Sequence, residues 1–311
     1  MEVIVNAGSR LHAGFHIIGD KIHRIEYAGA GFYVEKPNIR VVVKDCGEAT
    51  YDGPPDFRDP VTFVIEKSGF TGCVQLEKAP RRHIGLGSTT QVMLAVYHGI
   101  KLLRGEGIGG RDLLEAGFKL LERTKASTVG TLLYAYGGFV SGVGLPPPSD
   151  FSVLRLPVPS DWRFVIVIPD IARGLSEEEE RRYLGLPKPA PQRVKQLMAI
   201  GFHYLVMGVV RRDLDLVLDG LKSMQTATGL YFSSIQGGVY RSDVARIVDE
   251  ASRDGIVLAQ SSWGPTLYTI TTPDSAESDK KTLEMIMREV GVRGEVIVSS
   301  PRNMGGGPNS V

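Results

Sequence analysis

Short stretches of alternating and β-branched residues dominate the first eighty positions. Val3–Val5 and Ile39–Val43 are β-branched runs and Gly72–Glu77 alternates, so three strands are predicted. Between them, Thr50–Pro60 carries prolines and aspartates and reads as a surface loop. From Ser88 the period lengthens. Val92, Leu94, Ala95, Val96, Ile100 and Leu103 fit a largely buried helix that stops near Gly105. A second helix is predicted from Arg111 to about Arg123.

Leu145-Pro146-Pro147-Pro148-Ser149 cannot continue a helix or a central strand and marks a candidate domain edge. Two domains are expected, 1–160 and 161–311. Trp162–Ile168 reads as an apolar strand. Ser176 followed by Glu179 is a capping pair, so the acidic run Glu177–Glu179 is expected to serve a helix N-terminus rather than catalysis. Helices are predicted at Gln192–Val210 and Asp213–Ala227. Helix Asp243–Asp254, strands Ile256–Gln260 and Thr266–Thr271, helix Ser275–Val290 and strand Glu295–Val298 follow. This order suggests an α+β second half with helices on one sheet face.

Composition narrows the function classes. With 36 basic against 35 acidic side chains, no excess charge is available to neutralise a nucleic-acid backbone. Glycine stands out at 37 of 311 residues, about 12% against a usual ~7%. The glycines have no three-residue period, which excludes collagen. Cys46 and Cys73 are too few for a disulfide framework or a four-thiolate metal site; one bridge is open to them, and a reduced pair is expected. The N-terminus lacks a basic region before a long apolar stretch, and no run suits a membrane span. The expected location is cytoplasmic.

The richest chemistry lies in Arg81–Gln91, which runs from a strand into the helix at Ser88. Gly85 and Gly87 permit tight turning and close approach of a ligand to Gly85, Leu86, Gly87, Ser88, Thr89, Thr90 and Gln91. The loop fits a phosphate or pyrophosphate site, or a structural turn with a serine cap. It is neither a Walker loop nor a G-x-G-x-x-G fingerprint. Ser261–Thr266, with Ser262 and Gly264, is a second glycine-bearing turn and a candidate wall of the same site, or a plain hairpin. Arg123–Gly130 offers Arg123, Lys125 and Ser127, or a solvated helix end. His12, His16 and His23 are closely spaced, but Gly14 and Gly19 disfavour the helix that would align a metal pair. They read as structural or pocket-side histidines. No G-x-S-x-G elbow occurs.

Taken in order, these segments resemble the GHMP kinase superfamily, through G-L-G-S-T-T-Q at Gly85–Gln91. They are more closely similar to its β-ribofuranosylaminobenzene 5'-phosphate synthase family, of methanopterin biosynthesis. The matching segments are Ser9–Phe15, Glu35–Asn38, Gly85–Gln91, Tyr136–Val140, Asp161–Pro169, Ser261–Tyr268 and Pro301–Gly305. The resemblance implies an α+β, GHMP-kinase-like fold, with a ribosomal-S5-like N-terminal domain and a ferredoxin-like C-terminal domain. It implies phosphoribosyl pyrophosphate and 4-aminobenzoate as small-molecule partners, with carbon dioxide and pyrophosphate released. Arg10, Arg123 and Lys125 are the candidate catalytic cations. Magnesium enters only as the usual companion of pyrophosphate, and a homodimer is compatible with the resemblance.

Superfamily kinases that use a catalytic aspartate carry it in a Ser-Gly-Val-Asp type segment before a Y-G-G-F-like strand. Here that stretch is Ser127-Thr128-Val129-Gly130, ending in glycine. Glycine cannot accept a proton from a substrate hydroxyl. The synthase pattern is itself altered at Arg24–Gly29 and Arg123–Gly130, where substrate would be gripped. An ATP-dependent kinase and a non-catalytic phospholigand-binding homologue are the alternatives.

Overall fold

The computed structural model describes residues 1–22, 25–120, 127–142, 153–185 and 188–308. The chain opens with a long antiparallel pair, β1 (Glu2–Asp20) and β2 (Ile25–Lys44). Both strands extend far beyond Val3–Val5 and Ile39–Val43. Their middle residues are buried on both faces, so period-two alternation is lost there, and three register shifts break the ladder.

Thr50–Pro60 is not simply a surface loop. It holds β3 (Thr50–Asp52) and the start of α1 (Arg58–Lys67). Pro60 falls in the first turn of α1, where a missing N–H breaks no intrahelical bond. The parallel pairing of β3 with β4 (Cys73–Lys78) places Thr50 opposite Cys73, close to the chain leaving Cys46. The cysteines, expected reduced, are joined in a disulfide with Cα atoms 5.7 Å apart.

Next come α2 (Ser88–Leu103), α3 (Gly110–Glu115) running into a π-helical turn at Ala116–Leu120, and α4 (Thr128–Tyr136). The helix predicted to Arg123 leaves the described residues at 121, and α4 was not predicted. β5 (Phe139–Gly142) and β6 (Val153–Leu156) extend the sheet from β2. The proposed domain edge at Leu145–Ser149 lies outside the described residues.

The second sheet begins with β7 (Arg163–Pro169), followed by α5 (Glu177–Leu184), α6 (Gln192–Arg211), α7 (Leu214–Tyr231), α8 (Ser233–Gln236) and α9 (Ala245–Arg253). It ends with β8 (Ala259–Gln260), β9 (Leu267–Thr271), α10 (Pro273–Glu289) and β10 (Gly294–Ser299). The antiparallel order β10-β7-β9-β8 is the ferredoxin-like arrangement. Ser176 caps α5 as expected, accepting from the Glu179 amide while Glu179 accepts from its own.

β7 explains why helices cover both faces of this sheet, not one. Val165 and Val167 pack with Ile247, Leu283 and Ile286 of α9 and α10. Phe164, Ile166 and Ile168 point the other way, into a core shared with Leu11 and Phe32 of the hairpin and with Leu205 and Leu221 of α6 and α7. That shared core locks the two sheets together. The C-terminal tail then returns to the first sheet, where β11 (Gly307–Pro308) pairs with Val5 and Asn6.

Candidate functional site

The glycine loop is held in a shape that side chains oppose. Gly85 and Gly87 have φ of +95° and +68°, and a Cβ on Gly87 would lie 3.0 Å from Arg10 Nε. Gly87 then caps α2, whose first-turn amides have no i−4 carbonyls to bond. The helix dipole adds positive potential at that end.

Two distant segments shape the loop. The Arg10 amide donates to Leu86 O at 3.0 Å, and Arg10 Nη1 reaches Gly85 O at 3.4 Å. Arg10 is buried, and its Nε has no hydrogen-bond partner among the described residues. Burial lowers its pKa, with Glu180 the main opposing influence. A buried guanidinium with an unmet donor beside a helix N-terminus is suited to an anion. On the other side, Ser261 Oγ donates to Gly85 O at 2.6 Å and accepts the His12 amide at 2.9 Å. Gly264 packs so closely on Ile84 and Gly85 that an added Cβ would overlap their backbone.

The third predicted segment also arrives. The Ser127 amide donates to Thr90 Oγ1 at 2.9 Å, and Ser127 caps α4 by accepting from the Gly130 amide. Gln91 Nε2 donates to Gly130 O at 2.8 Å, while Gln91 Oε1 accepts from the Tyr33 hydroxyl at 2.8 Å. The starts of α2 and α4 are therefore tied together. Gly130 has its Cβ position 3.3 Å from Ser127 and Thr90, so this turn projects no carboxylate.

Arg10, Gly85–Gln91, Ser127 and Gly264 thus converge, with Ser262 on the adjoining turn at a positive φ of 57°. Arg123 and Lys125 lie outside the described residues. Ser88 donates to Arg81 O, and Ser88, Thr90 and Gln91 are buried, so their side chains hold the loop in place. The hub missed in the sequence is Tyr33, a lone tyrosine within a strand, which carries no local signal.

His12 and His16 sit on β1 and are buried or nearly so; His23 lies outside the described residues. His12 Nδ1 accepts the Gly14 amide at 3.1 Å, which leaves the proton of the neutral ring on Nε2. Burial first, then Arg10 and His16, push its pKa down to about 3. His16 stacks on Phe202 at 4.0 Å and bonds Ser141 at 2.8 Å, and burial pushes its pKa down to about 4. Among the described residues no three His, Cys, Asp or Glu side chains gather as a metal site. No helix there is long and apolar enough to cross a membrane.

No family model matches the chain. It is 27% identical to a beta-ribofuranosylphenol 5'-phosphate synthase of Archaeoglobus fulgidus over 96% of both chains. Identity to a protein of that name from Methanothermobacter thermautotrophicus is 23%, over 98% of both. Among solved structures, homoserine kinase of Cytophaga hutchinsonii superposes with a TM-score of 0.73 at 19% identity, covering 99% of this chain and 97% of the kinase. Mevalonate pyrophosphate decarboxylase of Streptococcus pyogenes gives 0.68 at 11%, over 98% of each. The fold is that of the GHMP kinase superfamily. The resemblance to the synthase family holds over nearly the whole chain.

Proposed function

We propose that this GHMP-fold, synthase-like chain joins phosphoribosyl pyrophosphate to a para-substituted benzoate and releases carbon dioxide and pyrophosphate. The observation that carries this reading is the near-full-length similarity to two proteins named as ribofuranosylphenol phosphate synthases. A phenol product points to 4-hydroxybenzoate alongside 4-aminobenzoate as the aromatic partner. Gly130 supports the same choice, because a phosphoryl-transferring kinase with an aspartate base has a carboxylate at that turn.

The chemistry asks little of acid–base groups and much of charge. The ring carbon bearing the carboxylate attacks ribose C1, and the C1–oxygen bond breaks with its electron pair leaving on pyrophosphate. The ring-to-carboxylate bond then breaks, its electrons restore aromaticity, and carbon dioxide departs. The developing negative charge on pyrophosphate is met by the α2 amides and by Arg10, held ready in a water-poor setting. Arg123 and Lys125 are proposed as cations for the benzoate carboxylate or the 5'-phosphate. Magnesium would arrive with the pyrophosphate, and no step above depends on it.

The test is incubation with phosphoribosyl pyrophosphate and carboxyl-labelled 4-hydroxybenzoate or 4-aminobenzoate, with released carbon dioxide and pyrophosphate counted. Equimolar release of both supports the synthase. No release above background, with ADP formed from ATP and a small alcohol, would replace it by the kinase reading.

A further inference from the structure

A cavity of about 610 Å³ lies between the two sheets, against the residues that lead into Gly85–Gln91. Its walls are the β2 corner Lys36-Pro37-Asn38, the segment Lys78–Arg81 and the edge of the second sheet at Ile168, Glu295 and Ile297. The volume lies within the roughly 300–1,000 Å³ of small-molecule sites. Neither Arg10, Gly85–Gln91, Ser127, Ser262 nor Gly264 lines it.

The lining is two-sided in character. Pro37, Ala79, Pro80, Ile84, Ile168 and Ile297 offer an apolar bed for a ring-sized body. Charge comes from the rim. Arg81 is held by Asp170 at 2.8 Å, so that pair neutralises itself. Lys36 and Lys78 are exposed and meet no carboxylate in an ion pair among the described residues, leaving two cations against Glu295. The corner is pre-built. The Lys36 amide donates to Ser299 Oγ at 2.8 Å, the Glu35 amide to Ser300 O at 3.0 Å, and Ser9 Oγ to Pro37 O at 2.6 Å.

The cavity is distinct from the glycine loop yet mechanically joined to it. Arg81 O accepts from Ser88 Oγ at 3.1 Å, and Ile84 O accepts from the Thr266 amide at 3.3 Å. An occupant touching Arg81 and Ile84 therefore presses on the residues that enter the loop and on the turn that closes it. We propose that this cavity is an effector site for a small anion with an apolar, ring-sized body, and that occupancy stiffens the glycine loop. The proposal stands whether or not the synthase reading is right.

The probe is phenyl phosphate, titrated calorimetrically into the full chain, with benzoate and inorganic phosphate as separate arms. Saturable binding of phenyl phosphate or benzoate is expected, with inorganic phosphate far weaker because it lacks the apolar body. The Lys36→Glu/Lys78→Glu protein should bind at least about tenfold more weakly, and the milder Lys36→Gln/Lys78→Gln protein should fall between it and wild type. Gly87→Val should retain saturable probe binding, because none of the cavity's lining residues is changed. Probe binding should also slow amide hydrogen exchange in Gly85–Thr90. Unchanged affinity in both lysine variants, loss in Gly87→Val, or no saturable binding would overturn the site. Unaltered exchange in Gly85–Thr90 would overturn its effector role.

Discussion

The Ser261 hydroxyl donates to the Gly85 carbonyl at 2.6 Å, across 176 positions of sequence. By accepting the His12 amide as well, it pins the glycine loop to β1. Ser261→Ala removes the side-chain acceptor of the buried His12 N–H and leaves the Gly85 carbonyl only the longer bond from Arg10 Nη1, a loss of about 1–3 kcal/mol. Urea unfolding should show that drop, and KM for phosphoribosyl pyrophosphate, the proposed substrate, should rise. A variant as stable as wild type would show that the loop holds its shape without Ser261.

Gly87→Val is expected to weaken phosphoribosyl pyrophosphate binding by at least about tenfold. A β-branched residue opposes the +68° φ of this position and crowds Arg10 Nε. Gly87→Ala should be intermediate. Isothermal titration alongside circular dichroism separates loss of the site from loss of the fold. Unchanged affinity in a folded Gly87→Val protein would remove this loop from the site.

Sequence pattern revealed the second sheet well and the first poorly, for one physical reason. β7 is apolar on both faces because Val165 and Phe164 serve two different cores, and such a run is visible without alternation. The long hairpin is also buried on both faces, but its glycines at Gly8, Gly14 and Gly31 sit where backbone or side chains approach too closely for a Cβ. They dilute the β signal. The glycine loop was legible because φ-positive glycines before a helix are a local feature. The closing contacts were not, since Ser261 and Tyr33 act through residues far away in sequence.

Tyr33→Phe should loosen the join between α2 and α4. The Tyr33 hydroxyl accepts the Gly8 amide and donates to Gln91, which in turn holds Gly130 O. Removing it strands two buried polar groups, costing about 1–3 kcal/mol. Hydrogen exchange at Ser127–Thr131 should rise selectively. A uniform change across the chain would mean that Tyr33 acts only on global stability.

Stability should fall as pH drops below about 6.5. His12, His16 and His98 are pushed to about 3, 4 and 4, chiefly by burial, so they stay neutral when folded. Below the unfolded value near 6.5 the unfolded chain binds more protons, and each such group contributes up to ~1.4 kcal/mol per pH unit. The loss continues down to the folded values. Denaturant midpoints at pH 7, 6 and 5 give the slope, and His98→Phe should make it shallower by one group's share. An identical slope in that variant would mean that His98 titrates alike in both states.

The Cys46–Cys73 bond, at a sequence separation of 27, closes a loop containing β3 and α1. Tethering that segment restricts the unfolded chain, which is worth about 2–4 kcal/mol for a bridge of this kind. Adding reductant should lower the denaturation midpoint, and Cys46→Ser should match the reduced protein with or without reductant. Because β4 leads into the glycine loop through Lys78–Arg82, loosening its start should leave phosphate-ligand affinity nearly intact while raising exchange in Thr50–Asp52. A reductant-insensitive midpoint together with two titratable thiols in the purified protein would show the pair to be open.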